Sequence, residues 1–131
     1  MVLLDSDLLI AFTRGEPTAI SKMTELKKLG ARLTTTPINA YELYHGAYTS
    51  TRRDKNLSTV KELLTMIERL PLDDKSCEEA GRIVSELEAQ GTPIGALDTI
   101  IAGAALRHGE TLITRNLTHF ERVQGLQIET W

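Results

Sequence analysis

The sequence predicts one α/β domain in three layers, a central and mostly parallel sheet covered by helices on both faces. Short apolar runs, VLL near the start and TLIT near the end, alternate with stretches of helical periodicity, the pattern of a parallel sheet with crossover helices. The helical stretches are punctuated by caps, prolines and glycine stops. At 131 residues and 41% hydrophobic, the chain suits a single core, and no linker-like stretch, repeat or low-complexity segment divides it, so residues 1–131 read as one domain.

Taken in order, Val2 to Leu4 reads as a short buried strand with Asp5 at its carboxyl end, and DLLIAFTRG as a helical turn or two ending at Gly15. Pro17 opens TAISKMTELKKL, whose Ile20, Met23 and Leu26 are spaced for one face, with Gly30 as a left-handed stop. ARLTTT is β-prone. Thr36 caps the next helix with Pro37 at its first position, so Glu42 falls in the second turn of a helix reaching about Ser50. From Lys55 to Leu70 a stripe of Leu57, Val60, Leu64 and Ile67 predicts a helix, and after Pro71 a second runs from about Lys75 to Gln90, the two forming a helical pair. RLPL between them is a candidate edge strand. Gly91 and Pro93 mark a loop, Gly95 to His108 a small-residue helix ending at Gly109, TLIT a buried strand and GLQIET a final one.

Charge and composition narrow the function classes. A net charge of −3 gives no global basic surface for nucleic acid, although Arg14, Lys22, Arg52, Arg53 and Lys55 supply either a local basic rim or ordinary solvated charge. The apolar start is interrupted by Asp5 and Asp7 and has no basic leader, so a cytoplasmic protein without a membrane segment is expected. Cys77, the only cysteine, is expected to serve packing. There is no zinc spacing of Cys and His, no Walker-type glycine loop and no serine elbow.

The chemistry rests on Asp5, Glu42, Asp98 and Asn116. If the first strand neighbours TLIT where the winding direction reverses, Asp5 and Asn116 look into one cleft, and the helices carrying Glu42 and Asp98 close its sides. Carboxylates that close repel unless a cation offsets the repulsion or some take up protons, and Mg²⁺ or Mn²⁺ is the natural counterion for oxygen ligands. Such an ion activates water and stabilises the leaving oxygen of a phosphodiester, which points to phosphodiester hydrolysis. Each residue alone has a plainer reading: Asp5 as a helix N-cap, Glu42 as an exposed helical residue, Asn116 as a turn. Asp98 is harder to dismiss, set among Ile94, Ala96, Leu97, Ile100 and Ile101. His45, His108 and His119 are assigned helix-end and surface roles, and Tyr41, Tyr44 and Tyr48 core packing or a subunit contact.

The strand running into DSD, the helix carrying YELYHGA, the segment PIGALDTIIAGAAL and the ending TLITRNLTHFERVQGLQIETW together resemble the PIN-domain ribonucleases. Among those, the chain is similar to the VapC toxins of type II toxin–antitoxin systems, and the last two segments are the specific ones. The resemblance implies a three-layer α/β/α PIN-like fold and a Mg²⁺- or Mn²⁺-dependent endoribonuclease leaving a 5′-phosphate and a 3′-hydroxyl. It implies Asp5 and Asp98 as principal metal ligands and Glu42 completing the acidic site, directly or through water. Asn116 matches a fourth position that is often aspartate in the wider family. Ser6 and Thr114 look like hydroxyls that orient the carboxylates or a bound water, and Asp7 lies close enough to contribute or to cap. The implied partners are an RNA substrate, a VapB-like antitoxin and a second copy of the chain, giving a homodimer within a toxin–antitoxin hetero-oligomer. An apolar groove on the helical pair, walled by Leu57, Val60, Leu64 and Ile67, would receive an amphipathic partner helix, unless that stripe packs inward.

Two competing readings remain. VLLDSDLL resembles the strand and DxD motif of haloacid dehalogenase phosphatases, though no Lys is evidently placed for the phosphoryl group and the chain leaves little room for a cap. The other is a PIN-fold binding module whose activity is weakened by the neutral amide of Asn116.

Overall fold

The computed structural model describes residues 1–131. In chain order the elements are β1 (Val2–Leu4), α1 (Ser6–Thr13), α2 (Pro17–Lys28), β2 (Leu33–Thr35), α3 (Pro37–Tyr48), α4 (Arg53–Thr65), β3 (Glu68–Arg69), α5 (Asp74–Ala89), α6 (Ala96–His108), β4 (Thr111–Ile113), α7 (Leu117–Phe120) and β5 (Ile128–Glu129). The five strands form one sheet in the order β3-β2-β1-β4-β5, and every pairing is parallel.

Strand periodicity builds the layers. Leu4 and Ile113 point into one core with α1, α2, α3 and α4, whereas Leu3 and Leu112, one residue earlier, point into the other with α5, α6 and Phe120. Both crossovers among the first three strands thus lie on one face, and the return to β4 lies on the other. The winding reverses between β1 and β4, which pair in register from Val2 with Thr111 to Leu4 with Ile113. The crevice beyond the carboxyl ends of these two strands is where such sheets bind ligands.

The second layer depends on close approach. A Cβ on Gly103 of α6 would lie 2.8 Å from both the Ala80 nitrogen and the Ser76 carbonyl of α5, so the two helices meet backbone to backbone there. Gly95 adopts φ 92° as it leads into α6, a conformation open to glycine, and thereby sets the direction in which Asp98 enters the site.

Several expectations need correction. The helix expected to reach Leu70 ends at Thr65, and the edge strand is Glu68–Arg69, ahead of Pro71. The proposed helical pair does not form: α4 packs in the layer with α3, and α5 packs on α6 across the sheet. Val60, Leu64 and Ile67 are buried and Leu57 is packed against them, so the stripe faces inward and offers no groove. Ile20 is exposed, because Ala19, Met23 and Leu26 define the buried face of α2. Cys77 is exposed, since the inward face of α5 is Ser76, Ala80, Ile83 and Leu87. Tyr41 and Tyr48 are exposed too, while Tyr44 packs against the first core. The short helix α7 was not anticipated. No helix is long and apolar enough to cross a membrane.

Candidate active site

Asp5 leaves the end of β1 and caps α1. Its Oδ1 accepts the Ser6 backbone N–H at 2.8 Å and the Asn39 side-chain amide at 3.1 Å, and its Oδ2 accepts the Thr114 hydroxyl at 2.7 Å. The residue is only 6% exposed. Burial, then the neighbouring Asp7, push its carboxyl up to about 7, against the hydrogen bonds from Thr114 and Ser6; Asp98 adds to the rise. The N-cap reading holds for Asp5, and the cap places the carboxylate where β1 meets β4.

Glu42 reaches the same place from α3. Its Oε1 accepts the Ser6 hydroxyl at 2.6 Å, and Ser6 Oγ in turn accepts the Asn39 amide at 2.9 Å. Burial is the main cause of a raised Glu42 carboxyl, opposed by the Ser6 hydrogen bond and reinforced by Asp98 and Asp7. Asn39 is fully buried and was missed by sequence reasoning. Thr36 Oγ1 accepts the Asn39 N–H at 3.2 Å, while Asn39 Oδ1 accepts the Thr36 N–H at 3.2 Å and its hydroxyl at 2.7 Å. This is a capping box with Asn at the position where Glu or Gln is usual, so the spacing Thr36-Pro-Ile-Asn39 was the available signal. The box frees the Asn39 amide nitrogen to serve Asp5 and Ser6 together.

Asp98 sits in the first turn of α6. Its Oδ2 lies 3.1 Å from Asn116 Nδ2 and 2.8 Å from His119 Nδ1. Asn116 caps the start of α7, and its backbone N–H donates to Thr114 Oγ1 at 3.0 Å. Asp7 lines the other side: its Oδ2 accepts the Arg115 N–H at 2.8 Å and lies 3.2 Å from Thr114 Oγ1, and its Oδ1 accepts the indole N–H of Trp131 at 3.3 Å. The amino-terminal turns of α1, α3 and α6 all face this acidic group, and their dipoles favour negative charge there.

The fold thus gathers Asp5, Glu42, Asp98 and Asn116, with Ser6 and Thr114 bridging them. The acidic donors are carboxylate oxygens, a chemistry that fits a hard divalent cation. As the side chains stand, no group of three or more His, Cys, Asp or Glu is arranged to hold a metal ion, so adjustment of side-chain torsions must close any ligand set. His119, expected at the surface, touches Asp98 instead. His45 stacks on Tyr41, and His108 Nε2 lies 3.1 Å from the Pro71 carbonyl oxygen, both away from the site. Of the suggested basic rim, Lys22 is buried and paired with Glu25 at 3.1 Å and Glu129 at 3.3 Å, whereas Arg14, Arg52, Arg53 and Lys55 are exposed.

A doubly wound parallel sheet carrying this acidic group between β1 and β4 defines a class. The family model described as PIN domain matches residues 2–126, and the chain belongs to the PIN-domain family. Its relatives there are VapC proteins. Over 129 residues it is 33% identical to the tRNA(fMet)-specific endonuclease VapC of Salmonella typhimurium, covering 98% of this chain and 96% of that protein. A crystal structure of VapBC2 from Rickettsia felis bound to a promoter DNA fragment superposes with a TM-score of 0.91 at 26% identity, over 100% of this chain and 99% of that one. DNA-bound VapBC from Salmonella typhimurium gives 0.89 at 33% identity, again over 100% and 99%.

Proposed function

We propose that this chain is a VapC-type toxin, a Mg²⁺- or Mn²⁺-dependent endoribonuclease that hydrolyses RNA phosphodiester bonds in the cytoplasm and is held in check by a VapB-like antitoxin, as a homodimer within a hetero-oligomer. The observation that carries the reading is the buried Asp5 carboxylate at the β1–β4 crevice, with Glu42 and Asp98 beside it, in a chain that aligns end to end with ribonucleases named VapC. Membership in the PIN family leaves no role for an aspartyl-phosphate phosphatase reading.

Asp5, Glu42 and Asp98 would hold the cation, which when bound supplies a lowered pKa for an attacking water and charge neutralisation at phosphorus. The chain's own groups do the positioning. Asn39 and Thr114 fix Asp5 from opposite sides, and Ser6 fixes Glu42. Burial keeps competing water from the Asp5 carboxylate, which strengthens its interaction with any cation that reaches it.

The test is cleavage of a structured RNA pool that includes tRNA(fMet), prompted by the Salmonella relative, using antitoxin-free protein with Mn²⁺ or EDTA and Asp98→Asn beside wild type. Cleavage by wild type with metal alone supports the nuclease and the role of Asp98. A folded, metal-bound wild type that cleaves nothing would favour the binding module.

A further inference from the structure

We propose, resting on the metal-site reading above, that His119 is a positioning residue for Asp98: together with Asn116 it occupies one carboxylate oxygen, leaving the other for the cation. The inference begins with hydrogen placement. His119 Nδ1 lies 2.8 Å from Asp98 Oδ2 and 3.2 Å from Asn116 Nδ2, and Asn116 Nδ2 lies 3.1 Å from the same Oδ2. A bare Nδ1 would set its lone pair against a carboxylate oxygen at hydrogen-bond distance. Nδ1 therefore carries a hydrogen and donates it, whether the ring is neutral or charged, and the Asn116 amide also directs its hydrogen to Oδ2. Both donors fall on Oδ2 and none on Oδ1.

The donors are held by the fold. Asn116, the residue that precedes α7, and His119 within it both reach Asp98 Oδ2, and the adjacent Phe120 is wholly buried in the second core. At the base of the same segment, the Thr114 hydroxyl binds Asp5 Oδ2 and receives the Asn116 N–H. Residues 114 to 119 therefore set Asp5 and Asp98 relative to each other, a task that a cation shared between the two carboxylates requires. An imidazole and an amide donating to one oxygen of a carboxylate ligand would orient that ligand and leave its other oxygen free for the cation. Asn116, its amide nitrogen directed to Asp98, serves the same purpose and is not a fourth ligand.

The test is isothermal titration of Mn²⁺ into the full-length, antitoxin-free chain as wild type, His119→Ala, His119→Asn and His119→Gln at one pH, with melting temperatures recorded alongside. An asparagine amide nitrogen falls close to where Nδ1 lies, whereas a glutamine amide reaches toward the place of Nε2. His119→Ala and His119→Gln are expected to weaken Mn²⁺ binding by about 10- to 100-fold. His119→Asn is expected to restore it, a rescue that a merely structural role for the ring would not give. Affinity in His119→Ala equal to or tighter than wild type overturns the proposal. So does equal behaviour of the Asn and Gln variants, a comparison that still decides if the Ala variant does not fold. A wild type that binds no Mn²⁺ fails the metal reading itself and removes the proposal with it, an outcome distinct from normal wild-type binding with unaffected variants.

Discussion

The two ends of the parallel sheet each bury a carboxylate, and they treat it in opposite ways. At the carboxyl end, Asp5 is 6% exposed and receives hydrogen bonds from Ser6, Asn39 and Thr114. At the amino end, Glu110, just ahead of β4, is 3% exposed and neither carboxylate oxygen has a partner. Burial is the first cause of a raised carboxyl in both, offset at Glu110 by the amino-terminal charge of Met1, then by His108 and Arg32. Arg32, one of the groups whose charge acts on Glu110, is committed instead to a two-pronged pair with Glu68. Burial alone makes an anion costly; directed donors also give it a fixed place from which to act. Only the carboxyl end has both.

The largest effects should come from Asp5→Asn. The variant keeps the bonds to Oδ1, and its amide can donate to Thr114 Oγ1, whose own hydrogen then turns to Asp7 Oδ2, 3.2 Å away. With a ligand lost, cleavage should fall by at least about 100-fold, because a positioned cation is worth several kcal/mol at the transition state. Stability should move the other way. The Asp5 carboxyl rises from 3.8 to about 7 on folding, so between these values the folded, metal-free protein holds a proton that the unfolded chain has released. Its contribution is full below about 3.8 and is lost as pH rises through about 7, a swing of about 4 kcal/mol. Urea titrations of metal-free protein from pH 4 to 8 should show this decline in wild type and a flatter profile in Asp5→Asn, with the variant more stable at pH 8. Identical profiles would erase the distinction drawn for Asp5.

A smaller effect is expected at the other end. Glu110→Met removes two unpartnered buried oxygens and keeps the side chain's reach, so it should stabilise the fold by about 1–3 kcal/mol at pH 7 while leaving cleavage unchanged. The same urea titrations measure the first and the RNA assay the second. Destabilisation would mean that the Glu110 charge is needed where it stands, and the two ends would then be alike.

How readily each end could be read from sequence follows the same physics. The strands β1 and β4 were visible because they are buried on both faces and read as unbroken apolar runs, and their carboxyl ends pointed to Asp5 and Asn116. Thr36 and Pro37 announced α3 and thereby the placement of Glu42. In contrast, β3 consists of two exposed charged residues whose strand character comes only from pairing with β2, so the candidate edge strand RLPL overlaps it only at Arg69. The four residues of α7 are too few to show a period, and His119 on it looked like a surface residue. Asn39 was hidden because an Asn in a helix reads as a weak helix former until its capping partner and Asp5 are brought within reach. Glu110, an acidic residue after a helix-ending glycine, reads as a solvated turn; its burial is a consequence of tertiary packing alone.

The smallest expected effect sharpens the contrast by giving it an optical reporter. Trp131 is the only tryptophan, its indole N–H donates to Asp7 Oδ1 at 3.3 Å, and the Arg115 guanidinium lies 3.5 Å from the ring centroid. Asp7 also accepts the Arg115 N–H, and its charge contributes to the rise at Asp5, so the indole is tied to the electrostatics of the carboxyl end. Trp131→Phe keeps a ring beneath Arg115 but removes one long hydrogen bond to a partly solvated carboxylate, which should cost about 0.5–1 kcal/mol. In wild type, Mn²⁺ arriving among Asp5, Glu42 and Asp98 should alter the charge felt at Asp7 and change the emission of Trp131. Glu110→Met should leave that response intact, and Asp5→Asn should diminish it. An emission change that survives Asp5→Asn undiminished would show that Asp5 is not needed to hold the cation.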